Sequence, residues 1–539
     1  MTSPIDAAPG RPVASETVRG RSSPRARPTE PRHLRRIVAL LAVPAALALA
    51  PAATAAPSPS ASSTGSPSSQ GAFVSSDPLL NQIWKVSVRT ARQIVVPGPL
   101  AVDRLGRPCA IDLAVVIVDG PDRDRCPYIG DHAVVGKTLL LANTKYRPVI
   151  RNMLRWFAAN QHADGAIPAS PFMKASYVLF DYNAYWIESL YDYVLSTGDR
   201  AAAVELWPNL VRIVDGWYAS RIGPRGLLVN DLGPRDYAYV PRTGTTVAYY
   251  NAGYARALGQ ASQLATWIGN RERAAAWRAR VAPVAAAFAG AFWSPGVGAF
   301  RDTTDGDAVY PQDGNAFAVL SGVATREQSL SALDWITRVL WRPYGSTMVD
   351  SDRWDSQELG RQRSQRVYPF IAYFEVLARY SVGLDDSALE LVRRVWGHMV
   401  RNGPGTTMWE TIGPNGSGPV DSWRPSWSHG WSTGAVPALV RYVLGVAPLT
   451  PGFATVLVEP RLNGVEWARG TVPTPRGPVK VEWRKKGRSV TLTVTTPVEA
   501  RLTLPVAGRV TLNGKPRASR ADRTSVAVKR GTHTLVVVR

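Results

Sequence analysis

Cysteine and histidine are scarce in this chain, with two of the first and six of the second in 539 residues. Two thiols cannot make a structural zinc site alone, and so few histidines argue against a multi-histidine metal centre. A Walker phosphate loop, an HExxH helix and a glycine-rich dinucleotide turn are all missing, which removes the nucleotide-dependent and zinc-protease readings. Long apolar runs are missing too. The longest, IVALLAVPAALALA at Ile37–Ala50, is short for a membrane span. It follows Arg32, Arg35 and Arg36 and precedes the small residues AATAA, which is the layout of a secretory signal. The expectation is a signal peptide over 1–55, an uncleaved anchor being the alternative, and a Pro/Ser-rich linker over 56–72. No stable membrane insertion is expected once the signal is removed. The protein is then secreted or held at the cell envelope. In that oxidising setting Cys109 and Cys126 are permitted to pair.

The net charge of +22 lies mainly at the two ends, about +5 before residue 56 and about +12 after residue 448. The large middle is therefore not a polyanion groove, and no nucleic-acid partner is expected. Between Asp77 and Gly445 apolar residues recur at helical spacing. Ser76, Asp77 and Pro78 form a helix start, followed by Leu79, Leu80, Ile83 and Trp84 on one face. Further helices are predicted near 132–144, 147–161, 180–195, 199–220, 244–268, 270–292, 313–322, 325–341, 367–381, 385–402 and 428–444. Their connections alternate between tight turns, such as STGD at Ser196–Asp199, and long loops near 96–131, 162–180, 221–243, 293–312, 342–366 and 403–427. Such alternation describes six helical hairpins closed into an all-α (α/α)6 toroid over 73–448, with every long loop at one mouth. Past Leu449 the period becomes two, in VKVEW, RSVTLTVTT, TSVAVKRG and THTLVVVR. This predicts a small antiparallel β-sandwich over 449–539.

The long loops hold carboxylates beside aromatic residues. VDGPDRDRCPYIGD, at Val118–Asp131, carries Asp119, Asp122, Asp124 and Asp131 on the loop leading to the second helix; TTMWETIG carries Glu410 next to Trp409 on the last loop. A toroid brings its first and last loops together. Opposed carboxyls, indole faces, and arginine and histidine to hold hydroxyls are what glycosidic cleavage needs. One carboxyl must be protonated to assist the leaving oxygen and the other ionised to activate water. Taken singly, Asp119, Asp122 and Asp131 also read as helix caps or as partners of Arg123 and Arg125. Trp423, Trp427 and Trp431 read equally as packing. GWSTG, at Gly430–Gly434, matches a hydrolase nucleophile elbow, but no buried strand precedes it.

Asp119-x-Pro121-x-Arg123-Asp124-Arg125, followed by Tyr128-x-Gly130-Asp131, resembles the signature of the α-L-rhamnosidases of glycoside hydrolase family 78. Thr406, Thr407, Met408, Trp409 and Glu410 resemble that family's TTxWE motif, and His429 in WSHGWSTG its downstream histidine. VEWARGTVPTPRGPVKVEW is similar to the β-sandwich that follows its toroid. The resemblance implies an inverting glycosidase that removes terminal α-L-rhamnose, with Asp124 as general acid and Glu410 as general base. It also implies sugar contacts from Asp119, Arg123, Tyr128, Asp131, Trp409 and His429, with no metal and no cofactor. A carbohydrate is the expected partner. Many members have glutamate at the position of Asp124 and tryptophan at that of Tyr128, and the motif here is one residue shorter. The alternatives are an inverting glycosidase for another terminal sugar, or a carbohydrate-binding six-hairpin protein without turnover.

Overall fold

The computed structural model describes residues 69–103, 105–121, 125–171, 177–242, 244–306, 308–355, 364–420, 426–518 and 523–539. Within them twelve helical rods follow one another: α1 (Pro78–Gln93), α2 (Ile129–Ala142), α3 (Arg147–Ala159), α4 (Tyr182–Thr197), α5 (200–221), α6 (Ala248–Ile268), α7 (Arg271–Phe292), α8 (Gln312–Ser321), α9 (326–340), α10 (Pro369–Ser381), α11 (Asp385–Asn402) and α12 (430–444). The local chemistry explains their ends. The Asp77 carboxylate accepts from the N–H groups of Leu79 and Leu80, with Pro78 at the first helical position. α5 is interrupted at Leu206, just before Pro208, whose ring nitrogen has no proton to give.

Burial sorts the rods into two rings. In α10 every residue except Ser381 is buried, whereas α7 buries only Ala274, Trp277, Val284, Phe288 and Phe292. A rod buried all round is an inner one, and a rod with one buried stripe is an outer one. The inner ring is α2, α4, α6, α8, α10 and α12, and each neighbouring pair is joined by named contacts. Lys137 donates to Glu188 at 2.8 Å between α2 and α4, and Tyr185 and Tyr249 share a 2.6 Å hydroxyl contact between α4 and α6. Phe317 meets Tyr249 from α8, and Gln312 donates to Glu375 of α10 at 2.7 Å. Phe370 stacks on Trp431 of α12, and the Thr138 hydroxyl of α2 donates to the Thr433 carbonyl at 3.0 Å, closing the ring. The six-hairpin architecture expected from the loop alternation is present, with the long connections leading into the N-termini of the inner helices.

Besides three two-stranded ribbons in the helical part, the described fold has two larger sheets. The larger runs in the order Ala72–Ser75, Trp467–Val472, Val479–Lys486, Ser489–Thr496, Gly531–Val538, Arg509–Leu512, Lys515–Arg517. The smaller runs Thr524–Val528, Glu499–Leu504, Thr455–Val458, Val446–Pro448. The β-rich domain differs from a purely antiparallel sandwich in two ways. Glu499–Leu504 pairs in parallel with Thr455–Val458, and a strand from before the toroid, Ala72–Ser75, forms one edge of the larger sheet. The sheets begin where α12 ends, at the short-turn end of the hairpins. There Gly198, at φ 71°, ends α4, and a Cβ on it would stand 3.0 Å from the Cα of Gly452. Trp483 also donates its indole N–H to the Val443 carbonyl at 2.9 Å. The site-bearing loops lie at the other end, so the sheets brace the toroid from behind.

Candidate active site

A backbone hydrogen bond ties the first long loop to the start of α12. Gly430 N–H donates to the Asp119 carbonyl at 2.7 Å, and Asp119 N–H to the Cys126 carbonyl at 3.2 Å. A Cβ on Gly120 would lie 2.7 Å from the Ser428 carbonyl oxygen, and one on Gly430 would lie 2.5 Å from Ile94 Cδ1. At position 120, where the close atom is backbone, only glycine permits this approach; at 430 the close atom is the end of a side chain. Cys109 and Cys126 form a disulfide with Cα atoms 5.8 Å apart, which fixes one end of the acidic loop. Asp122, Arg123 and Asp124, the last of them the expected acid, lie outside the described residues, between Pro121 and Arg125.

α2 starts at Ile129, three residues earlier than its apolar period suggested, so Asp131 stands in its first turn and not in the preceding loop. A carboxylate there is favoured by the positive end of the helix. Asp131 Oδ1 accepts from the Trp431 N–H at 3.1 Å and lies 3.0 Å from His429 Nδ1. That ring contact is close but not an aligned hydrogen bond. The other ring nitrogen, Nε2, stands 3.7 Å from Asp119 Oδ2 and 4.0 Å from Glu410 Oε1. His429 thus sits among three carboxylates. Asp119, Asp131 and His429 are buried, while the Glu410 side chain keeps 13% of its surface open.

Glu410 is held by its backbone. Its N–H donates to the Ser426 carbonyl at 2.9 Å, and its carbonyl accepts the Trp431 indole N–H at 2.9 Å. On either side of it, Met408 N–H donates to the Thr90 hydroxyl of α1 at 2.9 Å and Ile412 bonds in both directions with Val367. The carboxylate is positioned while remaining open to solvent. Tyr128 is half-buried as the residue that leads into α2. Trp409, expected to touch sugar, has no exposed surface. Its ring packs against Gly403, Trp427 and His398, so it supports the Glu410 loop from beneath and offers no face to a ligand. The indole over the site is Trp431, with its ring 4.4 Å from that of His429. Tyr368 lies beside it, and Tyr237 beside Tyr368.

Two features of the wall have no sequence signature. Arg242, on the loop before α6, points its guanidinium at Asp236 (3.1 Å), Asp313 (2.6 Å) and Asp302. Burial, with Asp313 and Asp236 nearby, pushes the Asp302 carboxyl up to about 7 even though Arg242 opposes it. Asp181, at the start of α4, is also pushed well above the usual carboxylate range, first by burial and then by Asp236. The second feature is Arg366, buried on the loop before α10.

Comparison with known proteins agrees with the fold. The family model of the bacterial alpha-L-rhamnosidase 6 hairpin glycosidase domain matches residues 110–340, and that of the bacterial alpha-L-rhamnosidase C-terminal domain matches residues 445–519. The first segment includes Asp119 and Asp131 but stops short of Glu410 and His429. The alpha-L-rhamnosidase of Alteromonas sp. (strain LOR) is 29% identical over 107 residues, 19% of this chain and 11% of that protein. The solved GH78 rhamnosidase of Bacillus sp. GL1 superposes with a TM-score of 0.66 at 23% identity, covering 81% of this chain and 43% of that one. The alpha-L-rhamnosidase of Streptomyces avermitilis, solved with L-rhamnose, gives 0.67 at 18% identity over 87% and 42%. The chain spans less than half the length of these relatives. Residues 110–340 and 445–519 thus carry the six-hairpin and C-terminal domains of the bacterial alpha-L-rhamnosidases.

Proposed function

We propose that this protein is a glycoside hydrolase that removes terminal α-L-rhamnose from a glycan or glycoside with inversion at the anomeric carbon. The observation that carries this reading is the convergence of Asp119, Asp131 and Glu410 on His429 at the mouth of the toroid. Ionised carboxylates are acceptors only, and a sugar offers hydroxyl donors, so the buried pair Asp119 and Asp131 suits the floor of a monosaccharide site. Glu410, more exposed and held through its backbone, is suited to take a proton from water. Asp124, on the facing loop, is assigned the opposite task of protonating the departing oxygen. Water then attacks from the Glu410 side, so the sugar leaves as β-L-rhamnose. We further place the protein outside the cytoplasm, on the signal-like 1–55 segment and the Cys109–Cys126 disulfide.

A panel of p-nitrophenyl glycosides, α-L-rhamnoside first, tests the reading when the product is followed by proton NMR before mutarotation. Release of β-L-rhamnose first is expected. The α-anomer appearing first would remove Glu410 from the role of base. Binding of L-rhamnose with no turnover on any glycoside would favour the carbohydrate-binding alternative.

A further inference from the structure

Arg242, Arg379 and Arg366 all bury their guanidinium groups. Arg242 faces three aspartates, and Arg379 pairs with Glu375 at 2.7 Å. Arg366 is 4% exposed, and its Nε and Nη2 find no hydrogen-bond acceptor among the described residues. A guanidinium does not discharge in a protein, so burial without an anion carries an uncompensated cost. A ligand that brings the missing acceptors would remove that cost.

The placement of Arg366 indicates which ligand. The next residue, Val367, exchanges two 2.9 Å backbone bonds with Ile412, two residues past Glu410. Tyr368 is extended, with φ −98° and ψ 108°, and alternation along an extended segment puts Arg366 on the same side as Tyr368. The Tyr368 ring lies 6.3 Å from that of Trp431, the indole over His429, and 5.7 Å from that of Tyr237. This side of the segment therefore faces the candidate site. The same residues lead into the start of α10, where no side chain caps the helix and its first amides add positive partial charge.

We propose that Arg366 binds a carboxylate of the substrate, and that the scissile rhamnose is attached to a uronic acid. The argument rests on the α-L-rhamnosidase reading above, because L-rhamnose is a neutral deoxy sugar. The anion that satisfies Arg366 must then belong to the group to which rhamnose is joined. A planar guanidinium donating from two nitrogens matches a carboxylate fork, whereas a neutral hydroxyl leaves the buried charge uncompensated.

The test compares α-L-rhamnosyl-(1→4)-D-glucuronate with α-L-rhamnosyl-(1→4)-D-glucose on the wild type and on Arg366→Gln. The wild type should prefer the uronate at least tenfold in kcat/KM. Arg366→Gln should lose that preference, mainly through a higher KM for the uronate. Independently of any variant, free D-glucuronate should inhibit the wild type at concentrations where D-glucose does not. Equal rates on the two disaccharides, or equal inhibition by the two sugars, would overturn the assignment. p-Nitrophenyl α-L-rhamnoside separates the two levels of failure. Cleavage of it without a uronate preference defeats only the Arg366 proposal, and no cleavage of any rhamnoside defeats the rhamnosidase reading with it.

Discussion

Two clusters on the long-loop side are built from the same parts, three carboxylates around one nitrogen-bearing side chain, and they do different things. Around Arg242 the parts are saturated: each guanidinium nitrogen meets its own aspartate, and the Asp236 oxygens also accept from Ala238 and Val240 N–H and from the Tyr250 hydroxyl. Around His429 the spacing is looser. A ring with two nitrogens stands among three carboxylates at 3.0, 3.7 and 4.0 Å without one aligned hydrogen bond to them. The first arrangement is complete in itself and holds the loops before α6 and α8 to the toroid. The second sets carboxylates from facing segments around an imidazole, and the Glu410 side chain keeps 13% of its surface open. Close pairing of every guanidinium nitrogen, and not the mere presence of acidic residues, marks the Arg242 cluster as scaffold.

If that contrast is right, the two clusters break in opposite ways. Glu410→Gln is expected to lower kcat by about 10²–10⁴-fold, the range for removing a general base. The melting temperature should stay level or rise, because one of three clustered negative charges is gone. A kcat within tenfold of wild type would remove Glu410 from the chemistry. Arg242→Met should do the reverse, leaving three buried aspartates without their cation at a cost of about 3–5 kcal/mol. Denaturant unfolding measures it, and a loss below about 1 kcal/mol would mean that the cluster is not the brace described here.

The sequence made the saturated cluster harder to foresee than the open one. Alternating short and long connections were enough for the twelve rods, because tight turns have strong residue preferences and helix-forming apolar or amphipathic runs lie between them. Asp119, Asp131, Glu410 and His429 were legible because they sit in compact runs of breakers, acids and aromatics. Arg242, Asp236, Asp302 and Asp313 are spread over 78 positions on three segments, and no local pattern announces that one guanidinium gathers them. Trp409 misled for a related reason. Adjacency to Glu410 suggested a sugar platform, but Gly403 lets the ring sink against the backbone, and Trp431, from the neighbouring segment, takes the place over His429. The start of α2 was placed three residues late because Pro127 and the charges before it hide a helix whose first turn contains Gly130 and Asp131.

The smallest expected effect tests whether the Arg242 cluster is overfilled with charge. One guanidinium cannot neutralise three carboxylates, and Asp302 is the one held up to about 7, by burial first and by Asp313 and Asp236 after it. Its folded-state value lies above the ordinary 3.8, so the folded protein binds this proton more tightly than the unfolded chain. Stability from this group is therefore fully present below about 3.8 and is lost as pH rises through about 7. Asp302→Asn keeps an oxygen for Arg242 and removes the titration. Between pH 5 and pH 8 the melting temperature of the wild type should fall relative to that of Asp302→Asn, by roughly 1–3 °C for a protein of this size. Comparing the two curves cancels the other buried groups that titrate nearby in pH, such as Asp192, which is pushed up to about 6. Parallel curves would mean that Asp302 is ionised throughout and that Arg242 carries all three charges.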